Sequence, residues 1–186
     1  MDLLTFNAEI IKSIAWPLMV LALVCLLRKP IIELIPLLRK LKWKELELEF
    51  KEKVTDVEAK AVEVLPDVKP EDANDPETRT NLDLVSISPR AAIIETWLSV
   101  ESAARKAVGQ IPGVRPLSAI HIQQQLRQSE ILDSDTDSIF SDLRELRNRA
   151  AHHEDFKITE EEARRYTLVG MALARLITVK SNETQP

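Results

Sequence analysis

Cysteine is almost absent from this chain of 186 residues. Cys25 stands alone, so neither a disulfide framework nor a cysteine-based metal site can form within one chain. Histidine is scarce too. Two of the three copies are adjacent, His152 and His153, and the third, His121, falls on a different expected helix, a distribution that gathers no zinc site. No metal or other cofactor is expected. Glycine occurs three times and aromatic residues make up 4%, whereas Leu, Ala, Glu, Arg and Lys abound. Straight side chains lose little rotamer freedom in a helix, so the composition predicts an all-α chain with little sheet. A basic excess is also lacking. The net charge of -5 excludes a uniformly basic nucleic-acid surface while leaving room for a local basic site.

What is present begins with an apolar run. Ser13 to Leu27 carries no charge, and adding Ile10 and Ile11 across Lys12 gives a segment of about 18 residues, the lower edge of a helical membrane span. Lys12 can snorkel to the interface, Trp16 suits interfacial depth, and Pro17 is tolerated in the first turns. A cleaved signal peptide fits poorly, because the start carries Asp2 and Glu9 and no small-residue cleavage site ends the run. A buried core helix is the other alternative. The expectation is a transmembrane helix over 10–27, preceded by an extracytoplasmic N-terminus over 1–9.

Arg28, Lys29, Arg39, Lys40, Lys42 and Lys44 follow the run, against Lys12 alone before it. This bias puts the C-terminal side in the cytoplasm of a bacterial inner membrane. Pro30 and Pro36 interrupt the apolar residues of 28–43, which suits an interfacial segment on membrane lipid. Lys44 to Phe50 then alternates Leu46, Leu48 and Phe50 with Glu45, Glu47 and Glu49. That is the period of a half-buried strand, but the same residues can continue as a charged helix, leaving a connector over 44–65 of either kind. Residues 66–87 hold Pro66, Pro70 and Pro76 among polar side chains and read as a flexible linker.

Residues 88–180 predict a four-helix bundle, with a tail over 181–186. Ser88-Pro89 has the form of an N-cap followed by an N1 proline, and Ile93, Trp97, Val100, Ala104 and Val108 follow at helical spacing. Ile111-Pro112-Gly113 breaks this helix, and a second one containing His121 and Leu126 reaches about Ser129. Asp135 or a neighbour caps a third, with Ile139, Leu143, Leu146 and Ala150 as its buried stripe. Thr159 and Glu162 fit a capping box that opens the fourth, whose stripe is Tyr166, Val169, Leu173 and Leu176 or Ile177.

On the third helix Arg147 sits at the margin of the apolar stripe, while Arg144, Asn148 and His152 share the next polar arc. Arg147 and His152 are about 140 degrees apart around an ideal helix. They flank a site. Imidazole exchanges protons near neutral pH and guanidinium offers paired donors to phosphate, a combination suited to phosphodiester chemistry. The plainer role of a cationic side chain near a helix end is to complement the dipole. On the first helix of the bundle, Glu101 falls within the apolar arc of Trp97, Ala104 and Val108, where an unpaired carboxylate is costly. It either pairs with Arg147 across the bundle or reaches solvent. Arg149 lies opposite Arg147 and drops out of the chemistry.

The stretch Leu143-Arg144-Glu145-Leu146-Arg147-Asn148-Arg149-Ala150-Ala151-His152, ending a third helix and followed by another, resembles the HEPN superfamily. That signature is an arginine, usually followed by a polar residue, with a histidine four to six residues beyond. Arg147, Asn148 and His152 match it, and His153 also satisfies the spacing. The resemblance covers about half the chain, 88–180. It implies a homodimer that brings two motifs together and, in catalytic members, a metal-independent endoribonuclease with Arg147 and His152 as catalytic residues. Arg144, Asn148 and His153 would support the site or hold RNA phosphate. Such members look like toxins or phage-defence effectors, which implies an antitoxin or defence-system partner protein. Many relatives are noncatalytic, so the rival expectation is a membrane-tethered dimerisation, sensor or adaptor module.

Overall fold

The computed structural model describes residues 3–65, 68, 75–109, 119–152 and 157–183; within 3–43, side chains are described for 15–28 alone. All the regular structure described is helical: α1 (Leu3–Val64), α2 (Pro76–Ile87), α3 (Pro89–Gly109), α4 (Ala119–Gln128), α5 (Ser134–His152) and α6 (Glu160–Glu183). The chain forms two compact units, Met1–Glu45 and Leu46–Pro186.

In the first unit α1 runs unbroken through Pro17, Pro30 and Pro36. Trp16, Leu18, Met19, Leu21, Leu23, Val24 and Leu26 are all exposed. Among the described residues no helix is long and apolar enough to cross a membrane, and the span expected over 10–27 is therefore unsupported. The uncharged run closes at Lys12 and Arg28, short of the ~20 residues that hydrocarbon requires.

The second unit begins inside α1, where the ambiguity over 44–50 resolves as helix. Phe50, Val54, Val57, Ala61 and Leu65 are buried, a spacing of three and four that continues well past the alternating stretch. This half of α1 lies along α5 and the start of α6, with Arg149 donating to Glu49 at 2.9 Å and Arg165 to Glu58 at 3.1 Å.

The flexible linker expected over 66–87 needs correction over its second half, because Pro76–Ile87 is α2; 66–67 and 69–74 lie outside the described residues. Asp75 caps it by accepting from the Thr78 amide at 2.8 Å, and Pro76 occupies the first turn, where its missing donor is harmless. The helix buries Thr78, Asn81 and Val85 against α3 and α6. Asn81 donates to the Met171 sulfur at 3.3 Å, and Arg175 donates to Asp75 at 2.9 Å. Polar contacts order a segment whose apolar content alone is low.

The four expected helices of 88–180 are present, but α1 and α2 pack with them and the bundle is larger. The most extensive pairing is α3 with α6, which Gly170 permits by letting the helices approach at Thr96. Beside it the Thr96 hydroxyl donates to that of Thr167 at 3.1 Å. The cap of α5 is Asp133, whose Oδ1 accepts from the Thr136 amide at 2.9 Å. The capping box of α6 forms as expected: Glu162 accepts from the Thr159 amide at 2.7 Å, and Thr159 Oγ1 accepts from the Glu162 amide at 3.2 Å.

Candidate functional site

Helix α5 turns Ile139, Leu143, Leu146 and Ala150 into the core, all buried as the spacing predicts. Beside that stripe runs a polar one, Asp137, Ser141, Arg144, Asn148 and His152, at steps of three and four. Helix α4 covers its first half through Gln123. The Gln123 amide nitrogen donates to Asp137 and to Ser141 at 2.7 Å each, and its oxygen accepts from Arg144 at 2.9 Å. Arg144 is thus held in place from a neighbouring helix.

Arg147 leans from α5 toward α3: Arg90 near the start of α3 donates to the Ala150 carbonyl near the end of α5, and the side chains of Arg147 and Glu101 approach each other between the two helices. The Arg147 guanidinium carbon stands 5.5 Å from the centroid of Trp97. One Nη donates to Asn148 Oδ1 at 2.9 Å, and the other lies 4.0 Å from Glu101 Oε2. Of the two alternatives for Glu101, pairing with Arg147 or reaching solvent, each is met in part: the contact is loose and the side chain stays 20% exposed. The other oxygen of Glu101 accepts from Arg105 Nη2 at 2.6 Å and Nε at 3.2 Å.

Magnitudes rank these contacts. A solvent-accessible ion pair at 4.0 Å contributes under ~1 kcal/mol, while a guanidinium over an indole contributes about 0.5–2 kcal/mol. Arg147 is therefore positioned mainly by the ring and by Asn148. Trp97 is itself fixed, 1% exposed and tilted against Phe140 with centroids 5.2 Å apart, and its buried indole N–H has no hydrogen-bond partner among the described residues. Below the site Tyr166 donates to the Leu143 carbonyl at 3.1 Å. Burial pushes the Tyr166 hydroxyl well above its ordinary range, with the Arg147 charge opposing.

His152 is the last residue of α5 and is exposed. No hydrogen bond joins it to Arg147, so the two flank the open end of the polar stripe separately. His153 lies outside the described residues. Arg149 points away and pairs with Glu49 and Glu145, each at 2.9 Å, a structural role consistent with its exclusion from the chemistry. Among the described residues no group of three or more His, Cys, Asp or Glu side chains could hold a metal.

Two contributors were missed in the sequence, Arg105 and Gln123. The spacing of Arg105 one turn after Glu101 was a visible signal for the first. Nothing local signals Gln123, whose partners lie on another helix.

No protein family, curated protein or solved structure matches the chain.

Proposed function

We propose that the Leu46–Pro186 unit is a HEPN-like module that cleaves RNA without a metal, as a homodimer pairing two copies of the α5 motif, in a toxin or phage-defence setting. The observation that carries this reading is the seating of Arg147 on Trp97 beside Glu101 and Asn148, with His152 exposed at the end of the same helix. Arg147 and Arg144 bind the scissile phosphate and Asn148 orients Arg147. His152 takes the proton of the RNA 2′-hydroxyl as its oxygen attacks phosphorus. The P–O5′ bond breaks, and the leaving oxygen takes a proton from an imidazolium. The exposed apolar side chains from Trp16 to Leu27 support attachment to a lipid bilayer, since contiguous apolar surface of this kind marks a membrane or partner contact. The basic residues after them, beginning with Arg28 and Lys29, suit anionic lipid headgroups and support a cytoplasmic side for the module.

A second reading, a noncatalytic sensor or adaptor, is favoured by one specific observation: Arg147 already has Glu101 and Asn148 as partners. The full chain in detergent micelles, incubated with RNA and a chelator, separates the two. Cleavage lost in both His152→Ala and Arg147→Ala supports the nuclease. Absence of cleavage in the parent, or cleavage unchanged from the parent in both variants, leaves the adaptor.

A further inference from the structure

Glu101 engages guanidinium groups from two helices at once. Its Oε1 holds Arg105 at 2.6 Å within α3, and its Oε2 faces Arg147 of α5 at 4.0 Å. The Glu101 side chain is 20% exposed, Arg147 30% and Arg105 49%, so the cluster opens to solvent. Two positive charges and one negative leave a net positive charge, which suits a phosphodiester. We propose that Arg105 is a further phosphate-binding residue of this site, beside Arg147 and Arg144, and that Glu101 is an internal anion that an incoming RNA phosphate displaces.

The geometry supplies the reason. A carboxylate shared unequally by two guanidiniums brings both to one point while fully satisfying neither. The Arg147 contact is at the outer limit of an ion pair and is screened by solvent. A phosphate oxygen accepting a bidentate pair from a guanidinium forms a stronger, charge-assisted bond. Exchange of Glu101 for phosphate at Arg147 therefore runs downhill, and Arg105 remains close enough to donate to the second oxygen. Arg147 keeps its place meanwhile, because Trp97 and Asn148 hold it independently of Glu101.

This inference rests on the RNA reading above, so its test isolates binding from cleavage. The full chain in nonionic detergent micelles is titrated with a labelled 2′-O-methyl oligoribonucleotide, which lacks the attacking hydroxyl, and Kd is followed by anisotropy across salt concentrations. Arg105→Gln is expected to weaken binding roughly tenfold, the loss of one hydrogen-bonded charge contact, and to lower the salt slope by about 0.7. Glu101→Gln is expected to tighten binding severalfold. Arg149→Gln removes equal charge outside the site and stays within about twofold of the parent. Helicity and melting temperature are compared throughout, and where Arg105→Gln melts early, Arg105→Lys, which keeps charge without the fork, is expected to fall between it and the parent. Unchanged binding by Arg105→Gln alongside loss in Arg147→Gln overturns the role of Arg105 and leaves the RNA reading standing. Unchanged or weaker binding by Glu101→Gln overturns the displacement. No binding by the parent overturns this inference and the RNA reading together.

Discussion

The Lys53 ammonium of α1 stands 3.5 Å from Asp142 of α5, and the same nitrogen also contacts Glu145. Lys60 reaches Asp142 from one side at 3.1 Å, and Arg149 links Glu145 to Glu49 on the other. These pairs flank an apolar stripe, and the stripe sets the energy. Each accessible pair contributes under ~1 kcal/mol, whereas truncating a buried phenylalanine typically costs about 3–5 kcal/mol. Phe50, 1% exposed, is therefore expected to destabilise the Leu46–Pro186 unit by about 3 kcal/mol or more on change to alanine. Lys53→Met should cost ~1 kcal/mol or less. Urea unfolding of the full chain in micelles measures both, and a larger loss for Lys53→Met would mean that ion pairs rather than packing attach this helix.

Close packing of α3 on α6 makes Gly170 sensitive in the opposite sense. A Cβ there would lie 2.5 Å from Thr96 Cγ2, too near unless the Thr96 side chain or the helix carrying it shifts. Alanine has the better helix propensity by ~1 kcal/mol, but overpacking commonly costs about 1–3 kcal/mol, so Gly170→Ala is expected to lower the melting temperature. Adding Thr96→Ser removes the clashing methyl while keeping a hydroxyl for Thr167. The double variant should recover the loss, and a melt showing no recovery would place the strain elsewhere.

Local pattern made much of this architecture legible. The stripes of α3, α5 and α6 are set by spacing within one helix, and the Thr159 and Glu162 box lies within four residues. The apolar arc left Glu101 either a partner of Arg147 or a boundary residue, and its shorter contact is with Arg105, one turn along its own helix. Other elements depend on surfaces far away in sequence. Lys44 to Phe50 alternates like a strand, and only its docking on α5 and α6 turns Phe50 inward as part of a helix. The α2 segment buries Thr78 and Asn81, polar residues whose partners, Arg175 and Met171, lie on α6. Gln123 is equally silent, since its value comes from Asp137, Ser141 and Arg144 on the facing helix.

Two orphan amides at the start of α6 are satisfied through the Thr159 and Glu162 exchange. Thr159→Ala removes the acceptor for the Glu162 amide and is expected to cost about 1 kcal/mol. Thr159→Asp keeps an acceptor and adds a charge favourable to the helix N-terminus, so it should remain near the parent. Equal losses in the two variants, read from chemical denaturation, would show that the hydroxyl rather than the capping bond matters.

Acid should weaken the fold through carboxylates held by specific donors. The Thr136 amide, then its hydroxyl and Lys180, hold Asp133 below its ordinary 3.8 against the cost of burial. Burial pushes Asp75 upward, but the hydroxyl and amide of Thr78 together with Arg175 outweigh it and the net direction is down. The Lys53 hydrogen bond, with Arg149 adding to it, outweighs burial to keep Glu145 below 4.5. A folded-state pKa below the unfolded value means that the unfolded chain binds protons first as pH falls. The stabilisation is then fully present above ~pH 5 and is lost as pH falls through the lowered values. Urea unfolding between pH 7 and pH 2 is expected to show a plateau and then a decline. Asp75→Asn and Asp133→Asn should each lower the plateau and flatten the decline, because the variant has no proton to take up at that position. A decline of unchanged steepness in both variants would assign acid sensitivity to other carboxylates.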